Sequence, residues 1–259
     1  MKIVTCVKQV PDTVEVKIDS ETGTLIRDTA PAILNPFDAY AVEEGLLIRE
    51  QLGGEVVALT MGPPQAREVL YETYAVGVDL GIHINDRAAR GSDTFATAGI
   101  LAAAISKIGS VDLVLCGKQA IDGDTAQVGP EIAEILDLPH VAYVKKIREI
   151  TEEKVVCERM VETGVEVIEV KLPAVLTVLK DINEPRLPSF RLKRQAKNRE
   201  IPTWSITDLG LDESSVGIAG SPTTVLKTFT PAMRGNCHML KGSAEEMVSA
   251  LLPLIDAAI

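Results

Sequence analysis

The chain is 259 residues long, 46% hydrophobic and 24% charged, enough for one α/β core with an appendage or for two small domains. A formal net charge of -11 excludes nucleic acid as the main partner, because phosphate backbones are held by clustered Lys and Arg. Four widely spaced cysteines (Cys6, Cys116, Cys157 and Cys237) with no C-x-x-C pair, beside only His83, His140 and His238, argue against a zinc site, and no metal is expected.

Aromatic residues make up 3%, so the core is aliphatic, which suits a buried parallel sheet covered by helices. Cys6 and Cys116 lie in apolar runs and are expected as small buried hydrophobes in a reducing compartment. No signal peptide precedes the first strand, and no apolar run approaches the ~20 residues of a membrane span. A cytoplasmic location is expected, with the mitochondrial matrix as the alternative.

The first 140 residues alternate strand and helix. Residues 3–7 form a short buried strand. Val14, Val16 and Ile18 alternate with polar residues, turn through residues 19–23 and return with Leu25 and Ile26, an edge hairpin. Asn35-Pro36 marks a helix start, an N-cap residue with proline at the first helical position. Residues 55–61 are the second core strand, ending in Gly62-Pro63-Pro64, with a helix to about residue 75. Residues 80–84 are a third strand, 93–108 a third helix and 111–116 a fourth strand. A helix over 129–136 follows the next loop. Repeated β-then-α units predict a doubly wound, mostly parallel sheet with helices on both faces. Ligands of such sheets sit beyond the carboxyl ends of the strands, where strand order reverses.

After Pro139 the pattern changes. Residues 154–160 and 165–170 are an antiparallel hairpin, and 174–179 another buried strand. Residues 185–199 carry six Lys or Arg and no acid, a solvated surface or a docking patch for an acidic protein. Leu187, Pro188 and Phe190 interrupt that run with apolar groups, which favours a protein contact. Two parts are expected: an α/β nucleotide-binding domain over 1–203, and an extended arm over 204–259. The arm's amphipathic last helix, about 244–255, is too short to stand without a packing partner.

The run Gly117-Lys118-Gln119-Ala120-Ile121-Asp122-Gly123-Asp124-Thr125-Ala126-Gln127-Val128-Gly129 has three features of an anion cradle. It begins where a buried strand ends, its glycines let the backbone approach a ligand, and it delivers the chain into a helix N-terminus. Its spacing is not that of a P-loop. Asp122 and Asp124 would repel phosphate if they faced it; they cap the helix, fix the turn, or accept from a ribose or adenine. An ordinary Gly-rich turn is the plainer alternative. Capping accounts for Ser92 or Asp93 and leaves Thr94 and Thr97 available to a ligand. No Ser/His/Asp set, H-E-x-x-H or G-x-S-x-G appears, so hydrolytic machinery is absent from the sequence.

These residues bring a resemblance into view. Cys6-Val7-Lys8-Gln9-Val10, Asn35-Pro36-Phe37-Asp38, Met61-Gly62-Pro63, the 117–129 loop, and Asn183-Glu184-Pro185-Arg186 followed by Ala196-Lys197 resemble the β subunit of electron-transfer flavoproteins over essentially the whole chain. The resemblance implies a heterodimer with a larger α subunit that holds a second flavin and is wrapped by the C-terminal arm. One branch of the family reads D-D-D-x-N-Q-T in this loop and holds AMP; the flavin-bifurcating branch reads D-G-D-T-A-Q-V-G-P and holds FAD. Asp122-Gly-Asp-Thr-Ala-Gln-Val-Gly-Pro130 and Gly91-Ser-Asp-Thr94 with Thr97 look like the second pattern.

The resemblance thus implies FAD, with NADH as electron donor, ferredoxin or flavodoxin as one acceptor and an acyl-CoA dehydrogenase as the other, reached through the α subunit. The residues assigned to the cofactor are Cys6, Val7, Lys8, Asn35, Pro36, Phe37, Asp38, Met61, Gly62, Ser92, Asp93, Thr94, Thr97 and every residue of 117–128. Ile182, Asn183, Glu184, Pro185, Arg186, Leu187 and Phe190 resemble the loop that docks the dehydrogenase, with Phe190 where the family often has Leu. The flavin carries the chemistry, so no catalytic acid or base is assigned. Two alternatives remain: a non-bifurcating β subunit with structural AMP, and a nucleotide-binding regulatory module without a redox role.

Overall fold

The computed structural model describes residues 1–12, 32–226 and 239–256. They fall into two compact units, Met1–Thr224 and Val225–Ile259. The first unit opens with β1 (Lys2–Cys6), β2 (Gln9–Pro11), β3 (Ala32–Leu34), α1 (Pro36–Leu52), β4 (Glu55–Met61) and α2 (Glu68–Val76). There follow β5 (Leu80–Ile84), α3 (Thr94–Ile108), β6 (Leu113–Gly117), α4 (Val128–Ile135) and β7 (His140–Ile150). It closes with β8 (Lys154–Val161), β9 (Gly164–Lys171), β10 (Ala174–Val178), α5 (Phe190–Ala196), β11 (Thr203–Trp204) and the single turn α6 (Gly217–Gly220). In the second unit lies α7 (Ala244–Asp256).

Among the described residues, nine strands form one sheet in the order β11-β5-β4-β1-β6-β10-β7-β8-β9. Pairing is parallel from β11 to β7 and antiparallel through β7, β8 and β9. This is the α/β class expected. Strand periodicity of two divides the aliphatic residues between two cores. Ile3, Val56, Ala58, Leu113 and Leu115 face α1 and α2 through Ala41, Leu46, Val69 and Leu70. Their sequence neighbours Val4, Val57, Leu59 and Val114 face α3 and α4 through Ile100, Leu101, Ile105 and Ile132. Runs buried on both faces read as unbroken hydrophobic stretches, which is how these strands were found in the sequence.

From β1 the chain moves through β4 to β5 on one side, then returns to lay β6 on the other side of β1. Strand order therefore reverses at the gap between β1 and β6. Cys6 and Gly117 end the two strands there.

Three features differ from expectation. β7 was not foreseen as a strand, because its buried residues Val141, Val144 and Ile150 recur every three or six positions. Two register shifts against β8, between Val144 and Lys146 and between Ile147 and Glu149, add residues and break the period of two. The basic stretch contains α5, N-capped by the Ser189 hydroxyl, which accepts from the Leu192 amide at 3.0 Å. Residues 204–224 belong to the first compact unit: Thr203 and Trp204 pair with β5, and Ile206 and Val216 are buried in the second core. β2 and β3 pair antiparallel, while the hairpin expected from Val14 to Ile26 lies outside the described residues, as do Cys237 and His238.

In α7, Met247, Val248, Leu251, Leu252 and Ile255 recur at helical spacing on one face. No helix among the described residues is long and apolar enough to cross a membrane.

Candidate functional site

The loop after β6 crosses the switch point and is tied down by four segments from elsewhere in the chain. Asn35 precedes α1 as its N-cap residue, yet its side chain does not cap the helix. The amide instead spans the gap to the loop: Nδ2 donates to the Gln119 carbonyl at 2.9 Å, and Oδ1 accepts from the Ile121 amide at 3.2 Å. Lys8, two residues beyond β1, donates through Nζ to both carboxylate oxygens of Asp122 at 2.7 Å. Thr94, the first residue of α3, donates from its hydroxyl to Gln127 Oε1 at 3.3 Å and to Glu131 Oε1 at 3.1 Å. Lys118 bonds back to the sheet through its amide to the Val178 carbonyl at 2.9 Å.

Within the loop, Asp124 accepts from Gln119 Nε2 at 2.7 Å and its amide donates to the Ala120 carbonyl at 2.9 Å. Asp124 and Ala126 hold φ of 50° and 55°, left-handed values that cost non-glycine residues energy and persist only where surroundings impose them. Asp124 thus fixes the turn and Asp122 neutralises Lys8. Neither caps α4, whose N-cap residue is Gln127 and carries no side-chain cap. The N–H groups that open α4 accordingly keep their capacity for an anion.

The loop's glycines serve different ends. A Cβ at Gly117 would strike Asp38 Oδ1 and the Phe37 backbone, and one at Gly129 would strike Thr177 Cγ2. Both are demanded by the protein's own packing. A Cβ at Gly123 meets nothing within 4 Å.

Asp38 lies in the first turn of α1, 6% exposed, and its Oδ2 accepts from the Lys8 amide at 2.8 Å. Burial pushes its carboxyl up to about 7, against lowering by hydrogen bonds from Asn35 and Lys8. Val7 is buried; Pro36 is exposed and Phe37 half-buried beside Asp38. Met61 ends β4, next to β1, and Gly62 follows it; the Gly62 carbonyl accepts from Asn85 Nδ2 and contacts His83 Nε2. Ser92 and Asp93 are drawn elsewhere. Ser92 Oγ accepts from the Gly217 amide, while Asp93 caps α3 through the Ala96 amide and takes two bonds from Thr223. Thr97, one turn into α3, is half-buried.

The segment resembling a docking loop is strapped to α1. Asn183 Nδ2 donates to the Tyr40 carbonyl and to Glu44, and Arg186 pairs with Glu43 at 2.8 Å and Glu50 at 2.6 Å. Ile182 and Pro185 are half-buried and Glu184 is exposed. Leu187 and Phe190 stand 89% and 87% exposed. Glu43 and Glu44, two acids inside an apolar stripe, are the buried anchors of this strap, and nothing in their local pattern marks them as such. Clefts of about 240 and 180 Å³ lie beside α1, at β7 and beneath residues 185–188, and no residue of 117–128 lines either.

A helix-covered parallel sheet with a Gly-rich loop at its switch point is the arrangement of a nucleotide-binding α/β protein. The electron transfer flavoprotein domain matches residues 22–209. The caffeyl-CoA reductase-Etf complex subunit CarD of Acetobacterium woodii is 48% identical over 97% of this chain and 96% of its own. The electron transfer flavoprotein subunit beta of Thermoanaerobacterium thermosaccharolyticum is 46% identical over 99% and 98%. Protein FixA of Bradyrhizobium diazoefficiens is 40% identical over 98% and 91%. The chain belongs to the electron-transfer flavoprotein family, as a β-subunit member.

Proposed function

We propose that the chain is the FAD-binding β subunit of a flavin-bifurcating electron-transfer flavoprotein. In this reading the αβ complex oxidises NADH and delivers electrons to ferredoxin or flavodoxin and, through the FAD of the α subunit, to an acyl-CoA dehydrogenase. The observation that carries it is the loop at the β1/β6 gap: it is strutted by Asn35, has open space at Gly123, and leads into a helix start without a side-chain cap.

The residues fit a dinucleotide. The first N–H groups of α4 suit a diphosphate, and the unobstructed position of Gly123 leaves room that an aspartate there would fill with charge. Cys6 to Lys8, residues 35–38, Met61, Gly62 and Thr94 form the surroundings. Thr97 adds a hydroxyl one turn along α3. Ser92 and Asp93 act on the ligand only by holding the start of α3. Bound flavin supplies the hydride and one-electron chemistry; these residues bind it, orient it and limit its contact with water. CarD, named as part of a caffeyl-CoA reductase-Etf complex, supports a partner that acts on acyl-CoA. Leu187 and Phe190 meet that partner, and the apolar face of α7 packs on the α subunit.

Gly123→Asp tests the reading. The variant complex is expected to lose FAD from the β subunit while keeping that of the α subunit, counted by flavin release on denaturation. Loss of both, or of neither, contradicts it.

A further inference from the structure

Cys6 and Cys116 end adjacent parallel strands and are paired in register. Both side chains lie on the same face of the sheet, in the core beneath α3 and α4. The Cys6 side chain, and then burial, push the Cys116 thiol well above the usual thiol range. Cys116 is 6% exposed, Cys6 is half-buried, and neither is in a disulfide. Cys157 is buried in the opposite core, across the sheet.

Neighbouring strands lie about 4.8 Å apart, inside the Cα separation of roughly 4.4–6.8 Å that a disulfide spans. We propose that Cys6 and Cys116 form a thiol modification site at the carboxyl ends of β1 and β6, which a hydroperoxide oxidises to a reversible disulfide.

The more exposed Cys6 reacts first. Its sulfur attacks the peroxide, an S–O bond forms as the O–O bond breaks, and the alcohol or water leaves with a proton. Cys116 then attacks Cys6 Sγ, the S–S bond forms, and the sulfenic hydroxyl departs as water with the Cys116 proton. Two thiols are oxidised and one peroxide is reduced. The bond would tie together the strand ends from which Lys8 and the 117–128 loop emerge. The inference stands whether or not the 117–128 loop holds FAD.

The test treats the purified full-length protein, with any subunit that copurifies, with hydrogen peroxide, then blocks free thiols and maps peptides by mass. Expected are a Cys6–Cys116 linked peptide pair, loss of both thiols, and their return with dithiothreitol. In Cys116→Ser, dimedone should capture a sulfenic acid at Cys6 that escapes capture in the wild type. A sulfinic acid on an unlinked Cys6, a link from Cys6 to Cys157 or Cys237, or two thiols left intact would overturn the proposal. The wild-type map decides this even where the variant fails to fold.

Discussion

At Asp38, a carboxyl is buried against the end of β1 and held to the Lys8 amide, and its pKa rises from 3.8 to about 7. The folded chain binds this proton more tightly than the unfolded chain. The stabilisation is therefore complete below about pH 4 and is lost as pH rises through about 7. Asp38→Asn keeps an acceptor for Lys8 without the titration. The difference in unfolding free energy between variant and wild type should shift by a few kcal/mol in the variant's favour from pH 4 to pH 8. Denaturant titrations across that window check it; parallel pH profiles would show that Asp38 titrates as an ordinary surface acid. Asn35 shows the limit of sequence reading at this scale. Its place before Pro36 marks a helix start, and the helix does start there. Nothing in the local sequence says that the side chain forgoes capping to brace a loop more than eighty residues away.

Local patterns named most elements, and failed where geometry departs from a regular period. The bulges of β7 space its buried residues like those of a helix, and α5 buries only Ala196, too little to show a stripe. The strap at residues 183–186 was legible as a motif but not as a structure, since its anchors are the carboxylates of α1. This separates two kinds of variant. Arg186→Ala leaves Glu43, 5% exposed, without its guanidinium partner, and should lower stability by about 3 kcal/mol. Leu187→Ala and Phe190→Ala remove exposed groups and should leave thermal unfolding unchanged. The same two should lower kcat/KM toward the dehydrogenase about tenfold as contact anchors. Equal unfolding temperatures for all three variants would contradict the strap, and unchanged kcat/KM for Leu187→Ala and Phe190→Ala would contradict the docking role.

At the scale of the molecule, alternation of β and α with short connections was enough to point to the switch point of the sheet. The order β5-β4-β1-β6 puts the reversal between β1 and β6, beneath the loop singled out in the sequence. The extent of the first unit was less legible. Residues 204–224 lack periodicity, and a two-residue strand with isolated buried positions such as Ile206 and Val216 suffices to hold them on the sheet edge. Whether the loop at that switch point makes this chain a redox subunit rests on what it holds. Nucleotides released from the purified αβ complex by denaturation should amount to two FAD per heterodimer. One FAD with one AMP would contradict the bifurcating assignment.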